Sequence, residues 1–316
     1  MRRQIVLLIK EKIATGSHIL KADSWYKGTK MDFLTVIING LSIGGIYALI
    51  ALGYTMVYGI AKMLNFAHGD IIMVGAYTTV LMFTSSPIRG IAFAISLCII
   101  VGIIVERAAY RPLRGASPLA VLITAIGVSK LLQSIAQKRF GSESEGITLN
   151  LGQISIGNLK IDVLTIVTIL VSIAIMVGLT LFIKYTKIGR AMVAVSEDRG
   201  AAQLMGINVN FVITITFVIG SALAAVAGVF LLFKSQSVNS TFGAMPGIKA
   251  FAAAVIGGIG SIPGAMIGGV LLGVVEAIVG STALSAYVDA IEFAILIIVL
   301  LVKPTGILGK KRREKV

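Results

Sequence analysis

The chain has 316 residues, of which 57% are hydrophobic and only 13% are charged. A water-soluble domain of this length does not need so much apolar surface, and several apolar runs exceed the 18 residues of a candidate membrane helix. The runs are continuous rather than alternating, which argues against a transmembrane β-barrel. The composition therefore predicts an all-α polytopic membrane protein.

The net charge of +14 is concentrated beside the apolar runs, unlike the basic patch of a nucleic-acid-binding protein. Of the 28 Lys and Arg residues, seven lie in residues 1–30 and six in residues 303–315. Most of the others flank apolar runs, as the positive-inside rule predicts for cytoplasmic loops. A single cysteine, Cys98, and two histidines argue against a disulfide framework and a metal site, and we expect no cofactor.

The first 30 residues are polar and basic, and their apolar patch, Ile5–Ile9, is too short for a signal peptide. Met31 opens the first long apolar run. We therefore expect residues 1–30 to be an N-terminal extension or a mis-called start, with Met31 as the functional start. Residues 31–309 are then the transmembrane domain, and residues 310–316 are a basic cytoplasmic tail.

Apolar runs follow one another along the rest of the chain, at about 33–60, 66–84, 89–105, 117–137, 161–183, 211–233, 246–260, 264–282 and 287–302. Some neighbours are joined by tight links that contain glycine, so the runs predict eight or nine transmembrane segments. Basic residues mark cytoplasmic loops at 107–114 and 184–199. Alternation then places the polar segment 138–160 outside.

Two breaks interrupt the helical pattern. The first is Asn65-Phe-Ala-His-Gly-Asp70, and the second is Gly257-Gly-Ile-Gly-Ser-Ile-Pro-Gly264. Non-helical backbone at membrane depth is tolerated where protein buries it or a watery cavity meets it. Paired interruptions in the two halves of a transporter point to its substrate pathway. The breaks therefore predict discontinuous helices that flank such a pathway.

The residues of these breaks also have structural interpretations. Asn65 can cap the helix that follows it, and the glycines that follow the second break have the four-residue spacing of closely packed membrane helices. Glu276 is costly within an apolar run, by about 2.5–3.5 kcal/mol at mid-membrane, and a hydrogen-bonding role inside the bundle is favoured. Asp289 and Glu292 are expected at a solvated interface. The predicted pathway residues are Asn65, His68, Gly69, Asp70, Gly257, Gly258, Gly260 and Glu276.

The polar segment 184–208 carries the signals of an ordered loop. Ser196 is predicted to cap a helix with Glu197 and Asp198 in its first turn, where the helix dipole favours negative charge. Gly206 is predicted to end that helix in the left-handed conformation. A short capped helix on the basic side of a membrane is typical of a docking element. The chain lacks the Gly-x-x-x-x-Gly-Lys-Ser/Thr motif for ATP and a paired nucleophile and base, so we predict no catalysis.

Several stretches together resemble one family: Asn39–Gly59 with Asn65–Gly69, Glu106–Pro112, Gly189–Asn208, Ala254–Gly269 and Pro304–Gly309. They resemble, in order and spacing, the LivH-type permease of branched-chain amino acid ABC importers over about residues 31–309. The resemblance implies a multi-pass subunit of a prokaryotic cytoplasmic (inner or plasma) membrane. It also implies four further partners: a second, LivM-like permease, two cytoplasmic ABC ATPases that hydrolyse the ATP, and an extracytoplasmic solute-binding protein.

The resemblance gives segment 184–208 a role in coupling to the ATPases. Importer permeases often carry Glu-Ala-Ala-x-x-x-Gly here, and this chain has Gly200 in place of the glutamate. Glu197 or Asp198 is therefore expected to supply the acid. Asp70 stands where relatives commonly have glutamate. The predicted coupling residues are Gly189, Arg190, Glu197, Asp198, Ala201, Ala202 and Gly206.

The implied function is ATP-driven inward transport of leucine, isoleucine and valine. A permease of the same family for urea, short amides or another amino acid remains open, because the partner binding protein mostly sets that choice. A sugar importer permease fits the motifs less well. An ion-driven secondary transporter is the alternative of another class, and it would transport without an ATPase.

Overall fold

The computed structural model describes residues 33–309, apart from residues 84–85, 148, 150 and 157–158. Met31, the predicted extension 1–30 and the predicted tail 310–316 lie outside the described residues. The expectations for these segments therefore stay predictions.

Each of the nine predicted apolar runs coincides with a helix, which confirms the all-α fold class. The α-helices of the described residues are α1 (Phe33–Ala61), α2 (His68–Phe83), α3 (Pro87–Val105), α4 (Pro118–Phe140), α5 (Val163–Tyr185), α6 (Lys187–Glu197), α7 (Arg199–Leu204), α8 (Val209–Ser235), α9 (Ala244–Gly257), α10 (Ile262–Gly280) and α11 (Val288–Val302). Seven helices in this part of the chain, some with an adjoining 3-10 or π turn, are long and apolar enough to cross a membrane. The helices α2 and α9 have only 16 and 14 residues, so the number of crossings stays a prediction.

Short strands join the loops at one end of the helix bundle. These strands are β1 (Glu145–Gly146), β2 (Gln153–Ile156), β3 (Leu159–Asp162) and β4 (Ser237–Val238). Strands β2 and β3 form an antiparallel hairpin, and β1 and β4 are also paired antiparallel. The pairing of β1 with β4 ties the long loop after α4 to the connection between α8 and α9.

Helix α1 runs through the middle of the bundle and is buried along most of its length. It packs closely on α10 because small residues line the contact. An added Cβ at Gly269 or Gly273 would overlap the backbone of α1, and one at Gly264 or Gly268 would overlap the backbone of α9. The close-packing interpretation of these glycines is confirmed, since α10 uses one glycine face for each neighbour.

The basic loops gather at the other end of the bundle. We call this the basic end, and it consists of residues 58–62, 106–117, 184–210, 258–263 and 303–309. Arg199 Nη2 donates to the backbone oxygen of Ile60 at 2.9 Å, and Arg114 bonds both Glu106 and Asn210. The backbone nitrogen of Ile307 donates to the oxygen of Ile256 at 2.8 Å. The loops that the positive-inside rule predicts to be cytoplasmic, at 107–114 and 184–199, therefore lie at the same end of the bundle.

Candidate functional site

The amino ends of the two short helices, α2 and α9, meet inside the bundle. An added Cβ at Gly243, just before α9, would overlap the carbonyl oxygen of Gly69, and one at Gly247 would lie 3.0 Å from Gly69 Cα. From this junction α2 leads away from the basic end. Its last residue, Phe83, packs edge-on against Phe233 near the far end of α8. Helix α9 leads toward the basic end. Two discontinuous helices thus direct their positive ends to one interior region, as in many transporters.

Asn65 and His68 hold the start of α2 in place. Both side chains are buried. Asn65 Oδ1 accepts a hydrogen bond of 2.9 Å from the hydroxyl of Tyr110, which lies in a π-helical turn, Glu106–Tyr110, after α3. The Asn65 side chain thus contacts the turn after α3 and not the first turn of α2, where the capping interpretation would place its contact. The His68 ring packs edge-on against Tyr54, with 4.7 Å between ring centroids.

A cleft of about 190 Å³ opens beside this junction, between α2, α4 and α9. Its walls are largely apolar, with Phe66, Leu122, Ile126, Ala244 and Ile248. Polar groups from α2 and α4 line the rest, and these are the side chains of Asp70 and Ser129. The structure therefore places one predicted pathway residue, Asp70, at the polar side of an otherwise apolar cleft.

Helix α4 supplies hydrogen-bonding partners to Asp70. Gln133 Nε2 donates to Asp70 Oδ1 at 2.8 Å, and Lys130 Nζ donates to Gln133 Oε1 at 3.0 Å. Gln133 Nε2 also lies within hydrogen-bonding distance of Ser129 Oγ, at 3.3 Å. Asp70 is only 2% exposed. The residues of α4 are absent from the predicted pathway, although a lysine in the middle of an apolar run is the same costly signal that singled out Asp70.

A second charged cluster surrounds Lys249 of α9. Its Nζ lies 2.7 Å from Asp289 Oδ1, 3.1 Å from Glu292 Oε2 and 3.4 Å from Glu276 Oε2. The hydroxyl of Tyr47 donates to Glu276 at 2.6 Å. The cluster therefore joins α1, α9, α10 and α11, and it supports the structural interpretation of Glu276. Buried charges persist in membrane proteins when they are paired in this way.

The expectation of a solvated interface holds for only one of the two acids of α11. The side chain of Asp289 is 51% exposed, whereas that of Glu292 is fully buried against Lys249, so the prediction for Glu292 is wrong. The three-residue spacing places both acids on one face, but the lysine that draws Glu292 inward lies on another helix. Lys249 was detectable as a charge within an apolar run.

The glycines of the second break lie at the basic end. The backbone nitrogen of Leu308 donates to the oxygen of Gly257 at 2.9 Å, so the segment after α11 covers this turn. Gly258 and Gly260 have φ angles of 109° and 91°, which glycine adopts readily. These glycines do not line the cleft beside Asp70. Their pathway role stays a prediction.

The polar segment 184–208 contains two short helices. Thr186 caps α6 by accepting from the backbone nitrogen of Gly189 at 2.9 Å, and Asp198 caps α7 by accepting from Ala201 at 3.0 Å. Ser196 instead donates to a carbonyl in the last turn of α6. The predicted Ser196 cap is wrong, because a helix is already present there and breaks at the extended Asp198. Gly206, with φ of 81°, ends α7 in the left-handed conformation as predicted.

This pair of helices presents an apolar tip at the basic end. Leu204 is 89% exposed and Met205 is 82% exposed, and both lie outside the apolar runs. Adjacent exposed apolar side chains in a polar segment form a surface that is available for contact with another molecule. They are absent from the predicted coupling residues. Of those predicted, Gly189 and Ala202 are buried, while the exposed ones are Arg190, Glu197, Asp198, Ala201 and Gly206.

Comparison with known proteins decides the family. The family model described as "Branched-chain amino acid transport system / permease component" matches residues 36–300. The chain belongs to this permease family. The permease is 46% identical to the high-affinity branched-chain amino acid transport system permease protein BraD of Pseudomonas aeruginosa, over 90% of this chain and 98% of BraD.

Two further relatives are also named as branched-chain amino acid transport permeases. The permease is 45% identical to LivH of Escherichia coli, over 90% of this chain and 98% of that protein. It is 31% identical to the probable branched-chain amino acid transport permease protein LivH of Methanocaldococcus jannaschii, over 87% of this chain and 92% of that protein. The resemblance inferred from the motifs is confirmed.

Proposed function

We propose that this permease is a membrane-spanning subunit of an ATP-driven importer that carries leucine, isoleucine and valine inward across the cytoplasmic membrane of a prokaryote. The observation that carries this proposal is the family match over residues 36–300, together with relatives of the same name that align along nearly their whole length. The apolar helices supply the membrane-spanning part. The energy comes from other chains, since this sequence has no phosphate-binding loop.

The proposed partners are a second, LivM-like permease, two cytoplasmic ABC ATPases and an extracytoplasmic solute-binding protein. The exposed tip of Leu204 and Met205 supports an ATPase contact, because it lies in the polar segment at the basic end. We assign Gly189, Arg190, Glu197, Asp198, Ala201, Ala202 and Gly206 to the same coupling segment. The buried members hold the two helices against the bundle, and the exposed members are available to a partner.

A chain of contacts connects this segment to the centre of the bundle. Arg199 opens α7 and holds the carbonyl of Ile60 in the last turn of α1. From Ile60 the polypeptide runs through residues 62–67 to the junction of α2 and α9. A displacement of α7 by an ATPase would thus reach Asn65 and Asp70 through covalent chain and one hydrogen bond. Such differential contacts bias a transporter between its two states.

The proposed pathway passes the junction, where Asn65, His68, Gly69 and Asp70 lie. Gly257, Gly258 and Gly260 are proposed to border its exit at the basic end. For Glu276 we favour the structural role, since it binds Tyr47 and Lys249.

Reconstitution of the complete importer in proteoliposomes tests this function. We expect uptake of labelled leucine, isoleucine and valine that requires both the binding protein outside and ATP on the ATPase side. Uptake by the permease alone under an ion gradient would establish a secondary transporter instead. Uptake of urea or a short amide, without the branched-chain amino acids, would move the chain to another substrate within the family.

A further inference from the structure

We propose that the cleft between α2, α4 and α9 binds the transported zwitterion, with Asp70 receiving its ammonium group and Lys130 its carboxylate. This inference rests on the proposed function, and it names the site within the permease that binds the amino acid during transport. It assigns α4 a direct role in substrate recognition.

The dimensions and lining of the cleft fit a small aliphatic amino acid. Its volume of about 190 Å³ is below the roughly 300–1,000 Å³ of pockets for drug-sized ligands. Its apolar lining includes Leu122 and Ile126 of α4, Ile248 of α9 and Phe66. A branched aliphatic side chain would contact apolar groups there. A polar side chain would lose its hydrogen bonds to water without replacing them.

The charges beside the cleft are arranged for a ligand that carries both signs. Gln133 lies between Asp70 and Lys130 and bonds each of them, at 2.8 Å and 3.0 Å. The side-chain amide of Gln133 therefore separates the Asp70 carboxylate from the Lys130 ammonium group. A zwitterion lying along Gln133 would place each of its charged groups next to the opposite charge of the protein.

Four residues that contribute to the site lie on one face of α4. Leu122, Ile126, Ser129 and Gln133 follow one another at spacings of three and four residues, which places them in a row along the helix. Leu122, Ile126 and Ser129 line the cleft, and Gln133 binds Asp70. Lys130 comes four residues after Ile126 and is exposed. A charged side chain at this point of an apolar helix is costly, and residues of this kind are functional candidates by default.

The amino end of α9 strengthens the positive side of the site. Ala244, the first residue of α9, lines the cleft, and the first turn of this helix has no acidic residue and no side-chain cap. The helix dipole there favours a negative group. The carboxylate of the ligand would thus be attracted by both Lys130 and the start of α9, while its ammonium group binds Asp70.

Photolabelling of the reconstituted importer during ATP-driven turnover tests the site. The probe is a diazirine analogue of leucine that keeps both charged groups, and mass spectrometry locates the label. We expect label on Leu122, Ile126 or Ile248. In D70N and in K130M, we expect that label and leucine uptake to fall at least about tenfold, as for the loss of a charge-assisted hydrogen bond. D70E should recover part of the uptake because it restores the charge.

Matched variants outside the cleft serve as controls. Asp162 accepts from Gln153 at 2.8 Å, the same contact as Asp70 with Gln133, but in an exposed hairpin. Lys138 is an exposed lysine two turns further along α4. D162N and K138M should label and transport like the wild type, and yields of the assembled complex should match throughout.

The outcomes separate this inference from the proposed function. Absence of branched-chain amino acid uptake in the wild type would overturn the proposed function and the inference with it. Wild-type uptake with label elsewhere in the permease pair, or with D70N and K130M equal to their controls, would overturn only the inference.

Discussion

The two breaks in the apolar pattern are similar in hydropathy but are built differently. The first break, residues 65–70, packs through Gly69 on the start of α9 and adds side-chain contacts that the second break lacks among the described residues: Asn65 with Tyr110, and Asp70 with Gln133. The second break, residues 257–264, contacts its surroundings through backbone, with glycines against glycines and with the segment 307–308. A polar break therefore offers groups to a ligand, whereas a glycine break offers close packing.

Substitutions that add a side chain to the second break should have the largest effect on stability. In G264A the added Cβ would overlap the backbone carbonyl of Gly257. Overpacking of this kind costs typically 1–3 kcal/mol and occasionally more. We expect a lower apparent Tm in detergent and a lower yield. G280A on the same helix is the control, because nothing lies within 4 Å of the added Cβ. Equal losses in both variants would contradict the packing role.

Removal of a single side-chain contact in the first break should have an effect on stability that is at most as large. Y110F leaves the buried oxygen of Asn65 without its 2.9 Å partner, which costs about 1–3 kcal/mol. Combining Y110F with N65L should restore part of the apparent Tm, since replacing both partners by apolar groups is close to neutral. Y287F, at a tyrosine that is 62% exposed, should have no effect. If the double variant is no more stable than Y110F, the contact does not determine the stability of this break.

The smallest effect on stability is expected at the tip that we connect to the first break. L204S with M205S removes two side chains that are 89% and 82% exposed, so the apparent Tm should not change. ATP-driven uptake of leucine should fall at least about tenfold, because the exposed apolar pair is available to an interface, where a few residues carry most of the binding energy. The control is I154S in β2, which is 42% exposed at the opposite end. Unchanged uptake in the double variant would exclude the tip from coupling.

The sequence predicted the helices well because membrane helices carry their signal in composition. All nine apolar runs correspond to helices, and Asp70 was found because an acid in an apolar run is costly. The same rule applies to Lys130 and Lys249, but neither is among the predicted pathway residues.

Other features depend on contacts that a sequence pattern does not contain. Local capping rules favoured Ser196, but the break at Asp198 depends on α6 already extending from Thr186. The junction of α2 and α9 joins residues that are distant in the chain. The burial of Glu292 likewise depends on Lys249 of another helix.

The ion cluster around Lys249 bears on how the chain enters the membrane during synthesis. Lys249 is made before each of the three acids that surround it, and it belongs to a helix of only 14 residues, fewer than the about 20 needed to span a bilayer. Helix α9 therefore gains its partners only when α10 and α11 have been translated. The ion pairs of Lys249 thus form only after synthesis has passed α9, and a ribosome that stops before Val288 leaves Lys249 without two of its three carboxylates.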